Sequence, residues 1–357
     1  MKKLILLMSL LLPTLVGARG KVNYEKKEVV TFTVSDNATL NLSNTYGDVQ
    51  LYHWDKNVIQ ATVTIEVRAG TDEQAREVAD HIQIQRSKNG NTVSIQTLYD
   101  PDNNSSFWKM FFGSSSNSRK DVHIDYKVYL PASLGKLNLR NRYGNVSGNQ
   151  IPGNVNMELH YANFHLSGIQ RALSLQVKYG DGSLTDIAQV NAVADYSDLR
   201  LDKIKNMNLQ YSYGDLSIGN LGSLVVKGKY GDINIASVDQ LTANTTYGDY
   251  HIRNIQTQGN IATAYGDVRI DQTGGNLQEL KVDAKYSDIS AGIGASQVRV
   301  EADLSYGDLD ADISGLSTKE NIQKGANVHF RAATSGGDNG AHIVITGAYS
   351  DIDLHSR

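Results

Sequence analysis

The chain has 357 residues, no cysteine and a formal net charge of −4. These features exclude a disulfide framework and a cysteine-linked lipid anchor, and they argue against binding nucleic acid through bulk positive charge. Removing Lys2 and Lys3 with a leader would take the side-chain total from −4 to −6.

Residues 1–18 begin with Lys2-Lys3, continue through the apolar run Leu4 to Leu12 and end in Val16-Gly17-Ala18. A basic start, a short apolar centre and small residues predict a secretory signal cut after Ala18, because the run is too short to span a bilayer. No later stretch approaches the roughly 20 apolar residues of a membrane helix. The expectation is an exported chain that is periplasmic, on the outer surface or secreted.

Residues 19–142 read as an N-terminal capping region that contains a first coil around Tyr46. Val58 to Val67 and Thr92 to Thr97 alternate like strands. Residues 71–82 read as a helix that starts at a Thr71 cap with Asp72 and Glu73 in its first turn. The polar loop 101–120 holds Phe107-Trp108-Lys109-Met110-Phe111-Phe112. An apolar cluster in such a loop either covers an open end of the fold or touches a partner or membrane surface, and Phe107, Trp108, Met110, Phe111 and Phe112 are the candidate contacts. Val122 to Leu130 resumes a strand, and Pro131 leads into the regular stretch.

Residues 143–317 are dominated by a Tyr-small-Asp/Asn signature. Across the chain it occurs twelve times, beginning at Tyr46, Tyr143, Tyr161, Tyr179, Tyr196, Tyr213, Tyr230, Tyr247, Tyr265, Tyr286, Tyr306 and Tyr349, mostly 17 or 18 residues apart. A unit of that size cannot bury its own apolar face, so a short fixed period means one unit stacked on itself. Positions four and two before the Tyr are apolar or small with polar residues between, which predicts a strand. The small-Asp pair reads as a turn. Apolar residues three and five places after the Tyr then predict a shorter strand, and seven consecutive copies add another at plus eight, from Ile151 to Ile255. The predicted fold is all-β: a parallel β-solenoid, or β-helix, of about 17–21-residue coils at about 4.8 Å spacing, with a small helix-containing insertion near the N-terminus. Residues 318–357 read as a long loop followed by a terminal coil at Tyr349.

Two files of side chains follow from such stacking. Tyr179, Tyr196, Tyr213, Tyr230, Tyr247 and Tyr265 share the parity of interior positions, so their rings are expected inside the corner; an exposed ladder for stacking sugars is the alternative. Asp181, Asp198, Asp215, Asp232, Asp249 and Asp267 would repel by roughly 3.5 kcal/mol per adjacent pair at an effective dielectric near 20. Turn amides, neighbours such as Lys178, Lys229 and Lys285, or bound calcium would have to offset this. Repeat calcium sites supply a second carboxylate per turn, which is missing here. The expectation is therefore no cofactor, with calcium as the alternative.

Nothing in the sequence spells out a reaction. The nine histidines lack metal-ligand spacing, His160 and His165 being the nearest outward pair, and there is no G-x-S-x-G, P-loop or dinucleotide fingerprint. Asp308, Asp310 and Asp312 come nearest to the carboxylate set of a polysaccharide-degrading β-helix, but the expectation is a solvated face with Asp310 and Asp312 turned to solvent, cation binding or catalysis being the alternatives.

The repeat from Tyr143 onward, the preceding Val122 to Leu130 strand with Pro131, and Tyr46-Gly47-Asp48-Val49-Gln50-Leu51 followed by Trp54-Asp55-Lys56-Asn57-Val58 resemble the bacterial putative-adhesin family of β-strand-repeat domains, related to the head-GIN type. The resemblance covers nearly the whole mature chain and implies the fold and an envelope setting. It carries over no site residues. The expected role is a non-enzymatic, ligand-presenting envelope protein. It would bind a glycan or a protein through the polar strand face that holds Asn208, Gln210, Lys227, Lys229, Thr242, Asn244 and Thr246. The alternative is a structural or sensory envelope component that docks through residues 107–112.

Overall fold

The computed structural model describes residues 22–99 and 121–357. The expected signal peptide and the aromatic tip Phe107 to Phe112 lie outside the described residues. The chain divides into two compact units, Met1–Asn156 and Met157–Arg357.

The first unit holds β1 (Val22–Thr33), β2 (Thr39–Thr45), β3 (Val49–Trp54), β4 (Val58–Ala69), helix α1 (Asp72–Asp80), β5 (Ile82–Asn89), β6 (Thr92–Tyr99), β7 (Asp121–Pro131), β8 (Lys136–Arg142) and β9 (Val146–Asn149). The first coil, β2 with β3, is paired in parallel on both sides: β2 lies between β6 and β8, and β3 between β7 and β9. The insertion therefore supplies the layer beneath the first coil. Strands β7, β4 and β1 continue that layer in antiparallel fashion, as does β5 on β6. Helix α1 starts where the Thr71 hydroxyl accepts the Gln74 amide at 3.2 Å, and it buries Ala75, Val78 and Ala79. The outer strands β1 and β5 carry Glu25, Lys26, Lys27, Glu28, Arg86 and Lys88, and Arg86 meets Glu28 at 3.8 Å. Charges of this kind protect an open sheet edge from unwanted pairing.

The second unit begins within β10 (Asn154–His160) and continues with β11 (Phe164–Ser167), β12 (Ala172–Lys178), β13 (Gly182–Asp195), β14 (Leu199–Ser212), β15 (Leu216–Lys229), β16 (Ile233–Thr246), β17 (Tyr250–Ala264), β18 (Val268–Thr273), β19 (Glu279–Lys285), β20 (Ile289–Ile293), β21 (Val298–Ser305), β22 (Leu309–Asp312), β23 (Ser317–Lys324), β24 (Asn327–Ala333), β25 (Ala341–Ala348) and β26 (Ile352–Ser356). In β13 to β17 the short strand after one Tyr runs straight into the long strand before the next. The parallel register repeats every coil, as in Leu199, Leu216, Ile233, Tyr250 and Val268. This is the expected β-solenoid. The file at plus eight is buried throughout, Ile187, Ile204, Leu221, Val238 and Ile255 each being at most 5% exposed. Large interior residues are matched by small neighbours: Tyr211 lies beside Gly228, where any Cβ would sit 2.2 Å from the Tyr211 ring.

The tyrosines of the signature are not inside. From Tyr143 on they are 39–61% exposed, which corrects the expectation of an interior ladder. All twelve have positive φ, from 51° at Tyr196 to 64° at Tyr46. Strand alternation fails at a left-handed residue, so the parity that buries positions minus four and minus two does not carry through to the Tyr. The glycine that follows is required by close approach: a Cβ on Gly231 or Gly248 would lie 2.1 Å from the carbonyl oxygen of the glycine one coil back.

The C-terminal region departs from the sequence reading in two ways. Residues 318–340 are no long loop: β23 and β24 form an antiparallel hairpin, and β24 pairs antiparallel with β21. The coil at Tyr349 is last in sequence but not in space. Strand β25 lies between β19 and β21, and β26 between β20 and β22, so the coil of Tyr306 ends the stack. The hairpin escaped detection because β23 is almost wholly exposed and polar and carries no Tyr signature.

Candidate binding surfaces

The outward residues of the long strands form straight files because the parallel register has no slip across them. One file runs Ser174, Asn191, Asn208, Val225 and Thr242; the next runs Gln176, Val193, Gln210, Lys227 and Asn244. The Asn208 amide donates to Asn191 Oδ1 at 2.9 Å, so the side chains are ordered along the file. A shallow depression of about 350 Å³ is lined by Gln176, Asn191, Val193, Asn208, Gln210, Val225 and Lys227 among others. Of the residues expected at a binding face, the structure thus gathers Asn208, Gln210 and Lys227. Lys229, Thr242, Asn244 and Thr246 lie on the same face outside the depression. Sequence reasoning missed Gln176, Asn191 and the 41% exposed Val193. Their signal was available, since Asn191 stands five places before its Tyr as Asn208 does, and Gln176 and Val193 three places before theirs as Gln210 does.

At the corner, rings stack with centroids 4.7–5.1 Å apart from Tyr161 through Tyr179, Tyr196, Tyr213, Tyr230, Tyr247, Tyr265 and Tyr286 to Tyr349 and Tyr306. In the first unit Tyr46 stacks on Tyr143 at 5.2 Å. The ladder is exposed, yet each inner ring has both faces covered by its neighbours. Only edges and hydroxyls meet solvent, so the inner rings offer no flat platform for a sugar.

The aspartates beside it are joined through the backbone. Asp181 Oδ1 accepts the amide of Asp198 at 2.9 Å, Asp198 that of Asp215 at 2.8 Å, and Asp215 that of Asp232 at 2.9 Å; the file continues through Asp249 and Asp267 to Asp288. Each carboxylate is exposed, so repulsion falls toward the water limit of about 0.9 kcal/mol per pair, well below the figure at a dielectric near 20. Lys178 and Lys229 sit by the rings of Tyr179 and Tyr230, at 5.3 and 5.9 Å from the centroids.

Among the described residues no three His, Asp or Glu side chains gather closely enough to hold a metal ion. His165 lies 2.5 Å from Ser183 Oγ, and His160 lies 3.4 Å from Glu158. Asp310 and Asp312 are exposed, as expected. Burial lifts the hydroxyls of Tyr211 and Tyr250 above the ordinary phenol range, and they bond internally, Tyr211 to the Gly231 carbonyl at 3.1 Å and Tyr250 to the Thr245 hydroxyl at 2.5 Å. Hydrogen bonds from the backbone amide of Asn220 lead the effects that hold the Asp202 carboxyl below its usual range.

The family model Toastrack DUF4097 matches residues 55–339. The chain belongs to the Toastrack DUF4097 family. A solved structure of a "putative cell adhesion protein" from Clostridium sporogenes ATCC 15579 is 11% identical and covers 94% of this chain and 100% of its own, with a TM-score of 0.21. A "putative adhesin" from Bacteroides fragilis NCTC 9343 is 8% identical and covers 92% of this chain and 97% of its own, with a TM-score of 0.23. A "putative lipid binding protein" from Parabacteroides distasonis ATCC 8503 is 13% identical and covers 76% of this chain and 94% of its own, with a TM-score of 0.26. Among the curated proteins compared, none matches the chain. In this Toastrack chain no described helix is long and apolar enough to cross a membrane.

Proposed function

We propose that this is an exported, non-enzymatic binding protein of adhesin-like type, which holds an extended glycan on the strand face centred on Gln210. The observation that carries the reading is the register-aligned pair of files. Asn191, Asn208, Gln176 and Gln210 offer hydrogen-bond groups at one strand spacing, beside the apolar Val193 and Val225, in a depression of about 350 Å³. A polymer laid across the strands would meet an amide on three successive coils, from Gln176 through Asn191 to Asn208 and Gln210. The mix of amides with small apolar patches suits a sugar, which has both hydroxyls and apolar ring faces. Lys227 at the edge of the depression favours acidic sugars.

The test is a glycan array probed with the intact mature chain and with an Asn208→Ala/Gln210→Ala variant. Binding that the double variant loses supports the reading, and Lys227→Glu should selectively weaken acidic glycans. Undiminished capture by both variants would remove this face from consideration.

A further inference from the structure

The stack of the second unit ends in a set of half-made interactions, all on the coil of Tyr306. In the preceding coils the amide three places after the Tyr donates to the next coil, as Ile289 does to the Asp351 carbonyl and Ile352 to the Asp308 carbonyl, both at 2.9 Å. Leu309 holds the same position and has no next coil among the described residues, where β22 pairs only with β26. The aspartate file behaves alike: Asp288 accepts the Asp351 amide and Asp351 accepts the Asp308 amide, each at 2.9 Å, while no amide follows for the Asp308 carboxylate. Tyr306 stacks on Tyr349 alone and is 61% exposed, the highest value in the ladder. Leu309 and Ala311 are half-buried, whereas Ile352 and Leu354 at the matching places of β26 are 2% and 0% exposed.

The hairpin β23–β24 covers β21 but leaves β22 open. The other free edge, β23, is a polar and charged strand of the kind that resists pairing. Strand β22 differs in that it continues a core, its Leu309 and Ala311 being half-buried. It is also acidic. Asp308, Asp310 and Asp312 are exposed, and Asp308 and Asp310 line a depression of about 470 Å³ together with Asp351 and Asp353. Arg269 in the same lining is taken by Asp271 at 3.0 Å.

We propose that β22 is a docking edge for an extended basic peptide of another protein, added as a further strand with Lys or Arg at alternate positions. Its backbone meets Leu309, its inward apolar residues cover Leu309 and Ala311, its outward cations face Asp308, Asp310 and Asp312, and one of them rests on the open face of Tyr306. A second copy fits poorly. Antiparallel self-pairing would bring the carboxylates of Asp310 and Asp312 against their equivalents, and in the first unit β3 is already paired on both edges. This surface is separate from the strand face proposed above, so either can fail alone.

The experiment is fluorescence anisotropy of the intact mature chain with a labelled, end-blocked octapeptide of alternating Lys and Val. Comparison peptides have Glu in place of Lys, or alternate amides N-methylated with the charges kept. Saturable binding of the Lys peptide alone is expected, with a loss of about tenfold or more in the Asp310→Asn/Asp312→Asn variant, and a clear loss in Tyr306→Ala. Gln210→Ala and Lys227→Glu should leave it unchanged. Equal binding of the N-methylated peptide would reduce the effect to charge alone and overturn strand addition. So would undiminished binding by the Asn variant, absence of saturation, or a dimer in sedimentation that Leu309→Pro dissolves.

Discussion

The left-handed tyrosines make a prediction that reverses an ordinary rule. Tyr213 has φ of 56°, is 43% exposed, and stacks at 4.7 Å on both Tyr196 and Tyr230. Truncation removes two ring pairs, about 1–3 kcal/mol together. It also gives up the burial of somewhat over half the side chain, about 100 Å² or up to roughly 2.5 kcal/mol. Against this, a non-glycine residue in the left-handed region costs about 1–2 kcal/mol. Tyr213→Ala keeps that backbone cost and should lose about 2–4 kcal/mol in all. Tyr213→Gly sheds it and should be more stable than the Ala variant by about 1 kcal/mol, whereas in a regular strand interior glycine is the worse of the two. Tyr306→Ala, with one stacking partner, should lose about half as much as Tyr213→Ala. The assay is denaturant unfolding followed by circular dichroism, compared at constant m-value. An Ala variant as stable as the Gly variant, or equal losses at Tyr213 and Tyr306, would refute the account of the ladder as stacking set against backbone strain.

Asp215→Ala removes the acceptor of the Asp232 amide and should cost about 1 kcal/mol. Asp215→Asn should be near neutral, since Asn163 already accepts the Asp181 amide at 2.9 Å in an equivalent place; both are read from thermal melts. Calcium should shift neither variant nor the parent: each coil offers one carboxylate to the corner file, already engaged at Oδ1, against the six to eight oxygens the ion takes. At the terminal hairpin, the hydrogen bond from His329 Nδ1 to Asp303 at 2.6 Å raises the histidine pKa above its ordinary value. A pKa raised on folding stabilises below the unfolded value and is lost as pH climbs through the folded one. Proteolysis at the Gly325 turn should therefore quicken as pH rises through the raised histidine pKa, and Asp303→Asn should weaken that dependence, leaving the part that Glu320 at 3.9 Å contributes.

Much of the solenoid could be read from the chain directly. A 17- or 18-residue period with period-two alternation inside it leaves few alternatives: the apolar files must meet, and parallel stacking is how equal units bring them together. The helix start at Thr71 was equally legible, because capping is local chemistry. The candidate face was partly legible: outward parity marked Asn208, Gln210 and Lys227, and the depression around them appeared only when neighbouring coils were set in register.

What the chain alone could not disclose depends on where distant segments meet. Alternation put the tyrosines inside, and the left-handed backbone at each Tyr puts them outside, because side-chain direction follows φ as well as spacing. Chain order placed Tyr349 at the end, but its coil slots between those of Tyr286 and Tyr306. All three coils carry the same signature, so nothing local ranks them in the stack. Their order was decided by the hairpin β23–β24, which occupies the outer edge of β21 and leaves the last coil the place between β19 and β21. The open edge of β22 is a consequence of that arrangement. Periodicity determines what repeats, and tertiary pairing determines which copy is left without a neighbour.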